Sequence, residues 1–212
     1  MYPINIRLDN VPCAVLGGGS IALQKIQSLL AASADVTIIS PKVTKDIEQL
    51  ITESDLHWRR KKYEIGDEKG FTLLICATDD IVANQLAAEE AQRQHILVNV
   101  CDTPALCTFT LPAVVKQGDL TITISTNGTS PALARWMRII LTEEYGPVYG
   151  HWLTRLSLLR KEVQQTFLSS RDRQNFWQHA LTDEVMELVR QEKLEEAEEQ
   201  IRHAISRFRS QS

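Results

Sequence analysis

The sequence predicts an α/β protein whose N-terminal part is a parallel sheet with helices on both faces. Four short apolar runs, at residues 12–16, 36–39, 71–77 and 96–100, have the length and composition of buried strands. Residues 22–32 and 82–93 separate them and carry apolar side chains at helical spacing. Apolar strands that alternate with helices are typical of a parallel sheet covered on both sides.

The composition is that of an ordinary globular protein and excludes several functional classes. The chain has 212 residues and a net charge of -4, so no basic excess is present for a nucleic-acid partner. There is no run of 18 apolar residues and no basic stretch followed by an apolar one at the N-terminus. We therefore expect neither a membrane span nor a signal peptide. Four cysteines, three of them in or beside apolar runs, favour a reduced, cytoplasmic protein.

The pattern changes twice along the chain, and we divide it into residues 1–112, 113–146 and 147–212. The second segment contains an alternating run at 120–125, which predicts an antiparallel or edge strand with one wet face. A helix follows with Pro131 at its first position. Its apolar stripe consists of Leu133, Trp136, Met137, Ile140 and Leu141. The third segment is predicted to be entirely helical, with apolar stripes at helical spacing.

A glycine-rich motif lies directly between the first strand and the first helix. Residues 17–22 read GGGSIA and fit the pattern G-x-G-x-x-A. Gly17 permits the tight turn, Gly19 lets the backbone approach a pyrophosphate, and Ala22 lets the helix pack closely on the strand. The helix N-terminus supplies N–H donors and partial positive charge for the phosphates. With a strand before it and a helix after it, this motif predicts a Rossmann dinucleotide-binding domain.

The end of the second strand leaves the choice of dinucleotide open. Rossmann domains that bind NAD usually carry an acidic residue there, which holds the ribose hydroxyls. This chain has Ser40, Pro41 and Lys42 instead. Ser40 is able to bond a ribose hydroxyl, whereas Lys42 is suited to the 2′-phosphate of NADP. The residues alone therefore do not decide between the two.

Two further strand ends carry candidate site residues, because ligands bind at the carboxyl ends of parallel strands. Thr78 and Asp79 follow the third apolar run and border the nicotinamide half, although Asp79 or Asp80 is equally suited to cap the next helix. Asp102 follows the fourth run and is a candidate general base or an orienting group for a cationic ring nitrogen. The alternative is an aspartate that starts the turn before Thr103 and Pro104.

A second loop resembles an anion site and precedes the helix of the middle segment. Its hydroxyls and turn amides belong to Thr126, Asn127, Gly128, Thr129 and Ser130. Arg135 and Arg138 share one face of the helix and are candidates for binding carboxylates by paired bonds. The alternative is helix capping by Thr129 or Ser130, with surface arginines.

We predict no metal site, because Cys101 and Cys107 lack nearby ligands and the five histidines are scattered. Residues 58–63 are interpreted as a charged edge strand.

The order of these motifs resembles that of precorrin-2 dehydrogenases, including the N-terminal half of the trifunctional sirohaem synthases. The segments that carry the resemblance are VLGGGSIALQK, IISP, ICATDD, NVCDTP and STNGTSPALAR, and they span nearly the whole chain. The loop is the least similar part, since Asn127 replaces a glycine of the family pattern.

The resemblance implies a function and assigns roles. It implies NAD-dependent oxidation of precorrin-2, a tetrapyrrole with eight carboxylates, to sirohydrochlorin in sirohaem biosynthesis. The implied cofactor contacts are Ser20, Ile21, Pro41, Lys42 and Thr78, and Asp102 is the implied catalytic aspartate. The middle segment is implied to form a homodimer. Two alternatives are an additional ferrochelatase activity at the same site and a regulatory NAD-sensing module without catalysis.

Overall fold

The structure, a computed structural model, describes residues 1–211, with side chains for residues 1–209. It divides the chain into two compact units. The first is Met1–Leu111, and the second begins at Pro112 and contains the rest of the described chain. The three-part division made from the sequence stays a prediction. Among the described residues, no helix is long and apolar enough to cross a membrane.

A five-stranded sheet forms the centre of the first unit. Its strands are β1 (Pro12–Leu16), β2 (Asp35–Ile39), β3 (His57–Arg59), β4 (Leu73–Cys76) and β5 (Leu97–Val100). The spatial order is β3-β2-β1-β4-β5, and every neighbouring pair is parallel. Three helices connect the strands: α1 (Ser20–Leu30), α2 (Lys45–Glu53) and α3 (Ile81–Arg93). The predicted α/β class with a Rossmann-type parallel sheet is therefore confirmed.

Both faces of the sheet are buried, which explains why its central strands read as continuous apolar runs. Successive side chains of a strand point to opposite faces. Cys13 and Val15 accordingly pack with Ala22 and Ile26 of α1 on one side. Ala14 and Leu16 of the same strand pack against alanines of α3 on the other side, namely Ala87, Ala88 and Ala91. Small side chains at these positions bring α3 close to the sheet.

The second unit starts with an antiparallel hairpin followed by one long helix. Its strands are β6 (Ala113–Gln117) and β7 (Leu120–Ile124), and the helix is α4 (Pro131–Glu144). Four more helices follow: α5 (Pro147–Thr166), α6 (Ser170–Ala180), α7 (Asp183–Arg190) and α8 (Leu194–Gln211). The described part of the third segment is thus helical, and the alternating run at 120–125 pairs antiparallel, as the sequence predicts.

The helices α5 to α8 share an apolar core of their own. Trp152, Leu159 and Val163 of α5 pack in one cluster with Val189 of α7 and Ile201 of α8. Side chains cap two of the helices: Ser169 accepts from the N–H groups of the first turn of α6, and Thr182 does so for α7. This core provides the cohesion of the second unit, as the sheet does for the first.

The apolar stripe of α4 is the main surprise of the fold. Only Ala134 is buried and Leu141 half-buried, against β6 and β7. The remaining apolar side chains of the stripe are exposed: Leu133 by 47%, Trp136 by 59%, Met137 by 36% and Ile140 by 40%. Ile139 is exposed as well, and we call these five side chains together the α4 apolar face. Large exposed apolar patches mark interaction sites in folded proteins.

Candidate functional site

A cavity of about 630 Å³ lies at the carboxyl ends of the parallel strands. Four loops form its wall: the glycine loop after β1, residues 40–44 after β2, residues 62–63 after β3 and residues 77–80 after β4. Its size is within the usual range for small-molecule and cofactor sites. The predicted residues Gly17, Gly19, Ser20, Ile21, Ser40, Pro41, Lys42 and Thr78 all line this cavity.

The glycine loop is packed tightly on one side and open on the other. Gly17 has a φ of +114°, and a Cβ added to it would lie 2.2 Å from the carbonyl oxygen of Ala77. A Cβ on Gly18 would lie 2.1 Å from the carbonyl oxygen of Lys42. Gly19 has no heavy atom within 4 Å of such a Cβ. The first two glycines are therefore required by the protein's own packing, and the third leaves free space at the start of α1.

The N-terminus of α1 begins at this open position. Gly19 is the N-cap residue, and no side chain bonds the free N–H groups of the first turn. Unbonded amides and the helix dipole make such an end suitable for a phosphate. Ser20 and Ile21 of this first turn are exposed and line the cavity. The residues present thus fit a dinucleotide pyrophosphate.

The loop after β2 is held by its own hydrogen bonds. Ser40 is only 6% exposed, and its hydroxyl donates to the carbonyl oxygen of Lys42 at 2.6 Å. The indole N–H of Trp58 donates to the carbonyl oxygen of Ser40 at 2.8 Å. The proton of the Ser40 hydroxyl is therefore already used, so this side chain can only accept a bond from a ribose. Pro41 and Lys42 are exposed at the cavity wall.

The corner after β4 is built by Thr78 and the following helix start. The Thr78 hydroxyl donates to Asn84 Oδ1 at 2.8 Å, and Asn84 returns a bond to the Thr78 carbonyl oxygen at 2.9 Å. Asp80 caps α3 by accepting from the N–H of Ala83 at 3.0 Å. Asp80 thus takes the capping role that the sequence left open between it and Asp79. Asp79 is exposed and also lines the cavity.

Two residues of the cavity wall, Lys62 and Tyr63, were missed as site residues by the sequence analysis. The Tyr63 hydroxyl donates to Glu68 Oε2 at 2.7 Å, and Gln94 donates to Glu68 Oε1 at 2.6 Å. Glu68 is fully buried. Burial alone would raise the pKa of Glu68, but the hydrogen bonds, including one from the Gly66 N–H, outweigh it and lower that pKa. This carboxylate fixes the loop that brings Tyr63 to the cavity.

Asp102 lies in the turn after β5 and does not line the cavity. It is exposed and has a φ of +67°, a left-handed conformation that aspartate adopts more readily than most residues. Since β5 is parallel to its neighbour β4, the turn after β5 lies at the carboxyl ends of the strands, as the cavity does. The structure therefore brings Asp102 to the cavity's edge but not into its wall.

Contacts of the half-buried Cys107 thiol hold the Asp102 turn in this shape. Its sulfur accepts from the N–H of Val100 at 3.2 Å and reaches the carbonyl oxygens of Val100 at 3.4 Å and Thr103 at 3.5 Å. The thiol thus bridges both ends of the turn that carries Asp102. Residues in left-handed conformations persist where the surrounding contacts fix them, and this sulfur supplies such contacts.

The predicted anion loop of the second unit is compact and partly used for capping. Ser130 caps α4 by accepting from Leu133 N–H at 3.2 Å, and its own N–H donates to the Thr126 hydroxyl at 3.1 Å. Asn127 and Gly128 have φ values of +51° and +81°, so Asn127 keeps the turn that the family pattern makes with glycine. Thr129 is exposed beside them.

Arg135 and Arg138 lie on α4, three residues apart. Both are exposed, and neither guanidinium has a hydrogen bond or ion pair within the described part of the chain. Cations that are free of internal partners remain available to an anionic ligand. These two residues belong to the second unit, whereas the cavity belongs to the first.

The parallel sheet, the glycine loop before α1 and the cavity over the strand ends define a dinucleotide-binding protein of the Rossmann class. Three family models match the chain in order. An NAD(P)-binding model matches residues 4–113, the central region of sirohaem biosynthesis proteins matches 117–143, and the sirohaem synthase dimerisation region matches 148–205. The first covers more than half of the chain, so the chain belongs to this NAD(P)-binding family. The two sirohaem family models that match the residues after it confirm the resemblance found in the sequence.

Similar proteins carry related names. The siroheme synthase of Methylococcus capsulatus is 36% identical over 196 residues, which are 92% of this chain and 41% of that protein. The siroheme synthase of Methylobacillus flagellatus is 34% identical over 208 residues, 98% of this chain and 44% of that protein. The chain thus spans less than half the length of these relatives. A solved structure named "SirC, precorrin-2 dehydrogenase" is 25% identical with a TM-score of 0.79, covering 96% of this chain and 100% of that one.

The matched dimerisation region has different bounds from the segment to which we assigned dimerisation. The matched region is residues 148–205, which contain α5, α6, α7 and most of α8. The assigned segment, 113–146, instead contains the match to the central region. The exposed apolar face of α4 lies within this central region.

Proposed function

We propose that this chain oxidises precorrin-2 to sirohydrochlorin, with NAD as the hydride acceptor, in sirohaem biosynthesis. The similarity to a precorrin-2 dehydrogenase over that protein's full length carries the proposal. The cavity supports it, because its glycine loop and strand ends fit a nicotinamide dinucleotide. The reaction is an oxidation at a CH–CH bond, in which a hydride and a proton leave the tetrapyrrole.

The dinucleotide, when bound, supplies the hydride acceptor. The N–H groups at the start of α1, beside Gly19 and Ser20, bind the pyrophosphate. Pro41 and Lys42 border the adenosine half, and Thr78 borders the nicotinamide half. Thr78 is held in place by Asn84, so its backbone forms a fixed wall rather than a mobile one.

Asp102 is the proposed catalytic residue and takes up the proton that leaves the substrate. Its carboxylate is exposed at the edge of the sheet that carries the cavity, where it is accessible to a large substrate. Bridging by Cys107 keeps the turn in one conformation, so that the carboxylate is positioned before substrate arrives. Positioned carboxylates contribute to catalysis as general bases.

Arg135, Arg138 and residues 126–130 are the proposed contacts for the substrate's carboxylates. The support is chemical: two unpaired guanidinium groups and a loop of hydroxyls and amides before a helix N-terminus favour anions. A precorrin carries eight carboxylates, so several such contacts are needed at different positions around the ring.

We also propose that the protein is a homodimer and that the α4 apolar face contributes to its interface. Changing Trp136 and Ile140 together to Glu is expected to convert the dimer into a monomer, because two charges would be buried at the contact. Size-exclusion chromatography with light scattering measures the mass. Ile65→Glu is the control, since Ile65 is an isoleucine of the first unit that is also exposed, at 64%. A double variant that stays dimeric contradicts the assignment.

The proposed location is the cytoplasm. All four cysteines are free, and two of them, Cys13 and Cys76, are buried. Burial raises the pKa of Cys13 to about 11 and that of Cys76 to about 12, which keeps both as thiols. Unpaired thiols fit a reducing compartment.

An anaerobic assay with precorrin-2 and NAD tests the proposed reaction. We expect one NADH for each sirohydrochlorin formed. The absorbance of NADH should rise at the same rate as the absorbance of the tetrapyrrole changes. A nucleotide-sensing module would give neither signal, and that result would reject the proposal. Adding ferrous or cobaltous ion to the finished reaction separates a dehydrogenase from a dehydrogenase that is also a chelatase.

A further inference from the structure

Tyr63 is the one aromatic side chain among the described residues that line the cavity. It follows β3 and is half-buried. Its ring packs against the apolar cluster that contains Leu16, Ile39 and Cys76, on the α3 side of the sheet. Aromatic rings offer a large, flat contact area, so the accessible part of this ring is a contact surface for a flat ligand group.

The hydroxyl of Tyr63 is engaged inside the protein. It donates to Glu68 Oε2 at 2.7 Å, and Glu68 is fully buried and does not line the cavity. Burial and this carboxylate raise the pKa of Tyr63, so the hydroxyl keeps its proton and continues to donate. A ligand in the cavity therefore meets the ring of Tyr63 and not its hydroxyl.

Three neutral donors hold the Glu68 carboxylate. Besides Tyr63, they are the N–H of Gly66 at 2.9 Å and the side-chain amide of Gln94 at 2.6 Å. Gln94 is the residue that ends α3, so the carboxylate ties the loop after β3 to that helix. A buried charge is costly unless its hydrogen bonds are made, and the loss of any of these bonds is therefore opposed. The bonds fix the orientation of the Tyr63 ring before a ligand arrives.

The strand order places Tyr63 on the adenosine side of a bound dinucleotide. In a Rossmann domain the pyrophosphate binds at the glycine loop after the first strand, and the residue after the second strand contacts the adenosine ribose. In this sheet β3 lies beyond β2 on that same side, whereas β4, which precedes Thr78, lies on the other side of β1. The adenine, which is attached to that ribose, therefore meets the wall formed by the loops after β2 and β3.

We propose that the ring of Tyr63 binds the adenine of the dinucleotide by stacking, and that Glu68 is a positioning residue that acts through Tyr63. The inference rests on the proposed function, because it concerns the dinucleotide site of that reaction. Bases stack on aromatic side chains through their π faces. A ring that is already held in one orientation loses little freedom on binding, which favours affinity.

Calorimetric titration of the full chain with NAD and with ADP-ribose tests the stacking contact. ADP-ribose has the adenine and the pyrophosphate but no nicotinamide. Tyr63→Leu should weaken the binding of both ligands by about tenfold, because both lose the same stacking contact. In the oxidation of precorrin-2, KM for NAD should rise by a similar factor while kcat stays unchanged, as for an interaction made equally before and during the reaction. Tyr63→Phe keeps the ring and loses only the bond to Glu68, so we expect a smaller loss of affinity, about threefold or less.

Phe71→Leu is the matched control for Tyr63→Leu. Phe71 is also a half-buried aromatic residue that packs against the same apolar cluster, but it does not line the cavity. It should leave both dissociation constants within about twofold of the unmodified protein, and thermal unfolding measures the stability of both variants. Equal losses of affinity in Phe71→Leu and Tyr63→Leu would assign Tyr63 a packing role only and overturn the inference.

A double-mutant cycle tests the positioning role of Glu68. Glu68→Gln should weaken NAD binding by about threefold to tenfold in the chain that has Tyr63, and by less than about twofold in the Tyr63→Leu chain, because Glu68 acts through that ring. A residue that only stabilises the fold would give the same factor in both chains, and that result would overturn this role.

Two further outcomes overturn the stacking contact. One is unchanged binding of both ligands in Tyr63→Leu, and the other is a loss of affinity for NAD alone, which would place the ring at the nicotinamide. If the unmodified protein binds neither NAD nor ADP-ribose, the proposed function itself fails. That failure is distinguishable from the failure of this inference, in which the unmodified protein binds both ligands.

Discussion

Replacing Asp102 with Asn is expected to lower kcat for precorrin-2 oxidation by about 10²–10⁴, the usual contribution of a general base. The dissociation constant for NAD should not change, because Asp102 is outside the cavity wall. Asparagine has nearly the same shape, but its amide cannot take up the proton. Steady-state kinetics and a nucleotide titration on the same preparation measure both quantities.

Asparagine is the better replacement because of the backbone at this position. Asp102 has a φ of +67°, which asparagine tolerates and alanine does not. Asp102→Ala would add roughly 1–2 kcal/mol of strain to the turn. A loss of activity in Asp102→Ala alone would therefore mix chemistry with a distorted turn.

The control for Asp102→Asn is Asp9→Asn. It makes the same change in a turn before β1, at the amino ends of the strands, whereas Asp102 lies at their carboxyl ends. We expect it to leave kcat and the unfolding temperature unchanged. If Asp102→Asn retains kcat within about a factor of two, Asp102 does not act as the base. A raised KM with an unchanged kcat would instead assign Asp102 to substrate binding.

The first unit could be predicted well because its strands are buried on both faces. Such strands appear as apolar runs, and the turns between them carry glycine, proline and polar residues. Of the two short elements, β3 overlaps the edge strand interpreted at residues 58–63, whereas α2 was not predicted. β3 has only three residues, His57–Arg59, and lies at the sheet edge, while α2 buries a single side chain, Ile47. Weak burial leaves a weak apolar pattern, so these elements depend on contacts that the sequence does not reveal.

The candidate site could be predicted where it depends on chain order and not where it depends on packing. Strand ends and the glycine loop identify the cavity-lining residues from Gly17 to Thr78. Tyr63 was missed because a run of four basic residues precedes it and obscures its position at a strand end. The hydrogen bond of the Ser40 hydroxyl and the hydrogen bonds of the Cys107 thiol depend on the folded geometry, so the sequence does not reveal them. The exposed stripe of α4 looks like a core stripe because an interface and a core share the same apolar pattern.

Replacing Gly17 with Ala and replacing Gly19 with Ala are expected to have opposite consequences, although only one residue separates the two positions. Gly17→Ala should destabilise the protein by roughly 3–5 kcal/mol. Its Cβ would lie 2.2 Å from the Ala77 carbonyl oxygen, which is backbone and cannot turn away, and its φ of +114° suits only glycine. Thermal unfolding should show the loss, with or without nucleotide.

Gly19→Ala should leave stability within about 1 kcal/mol of the unmodified protein, because its φ is −89° and its Cβ would meet no protein atom within 4 Å. The space that the Cβ would enter is the space through which the backbone approaches a pyrophosphate. We therefore expect NAD and NADP to bind about tenfold more weakly or worse, a cost of at least about 1.4 kcal/mol. A nucleotide titration, as for Asp102→Asn, measures the two dissociation constants.

Gly146→Ala is a closely matched control for Gly19→Ala. Gly146 is also the N-cap of a helix, has an extended backbone with φ −72°, and has no heavy atom within 4 Å of an added Cβ. It differs in lying before α5 in the second unit. If both variants fold normally and only Gly19→Ala loses nucleotide affinity, the effect belongs to the ligand and not to helix capping. Equal affinities in the two variants would mean that the pyrophosphate does not approach α1 at Gly19, and the dinucleotide would have to lie elsewhere in the cavity.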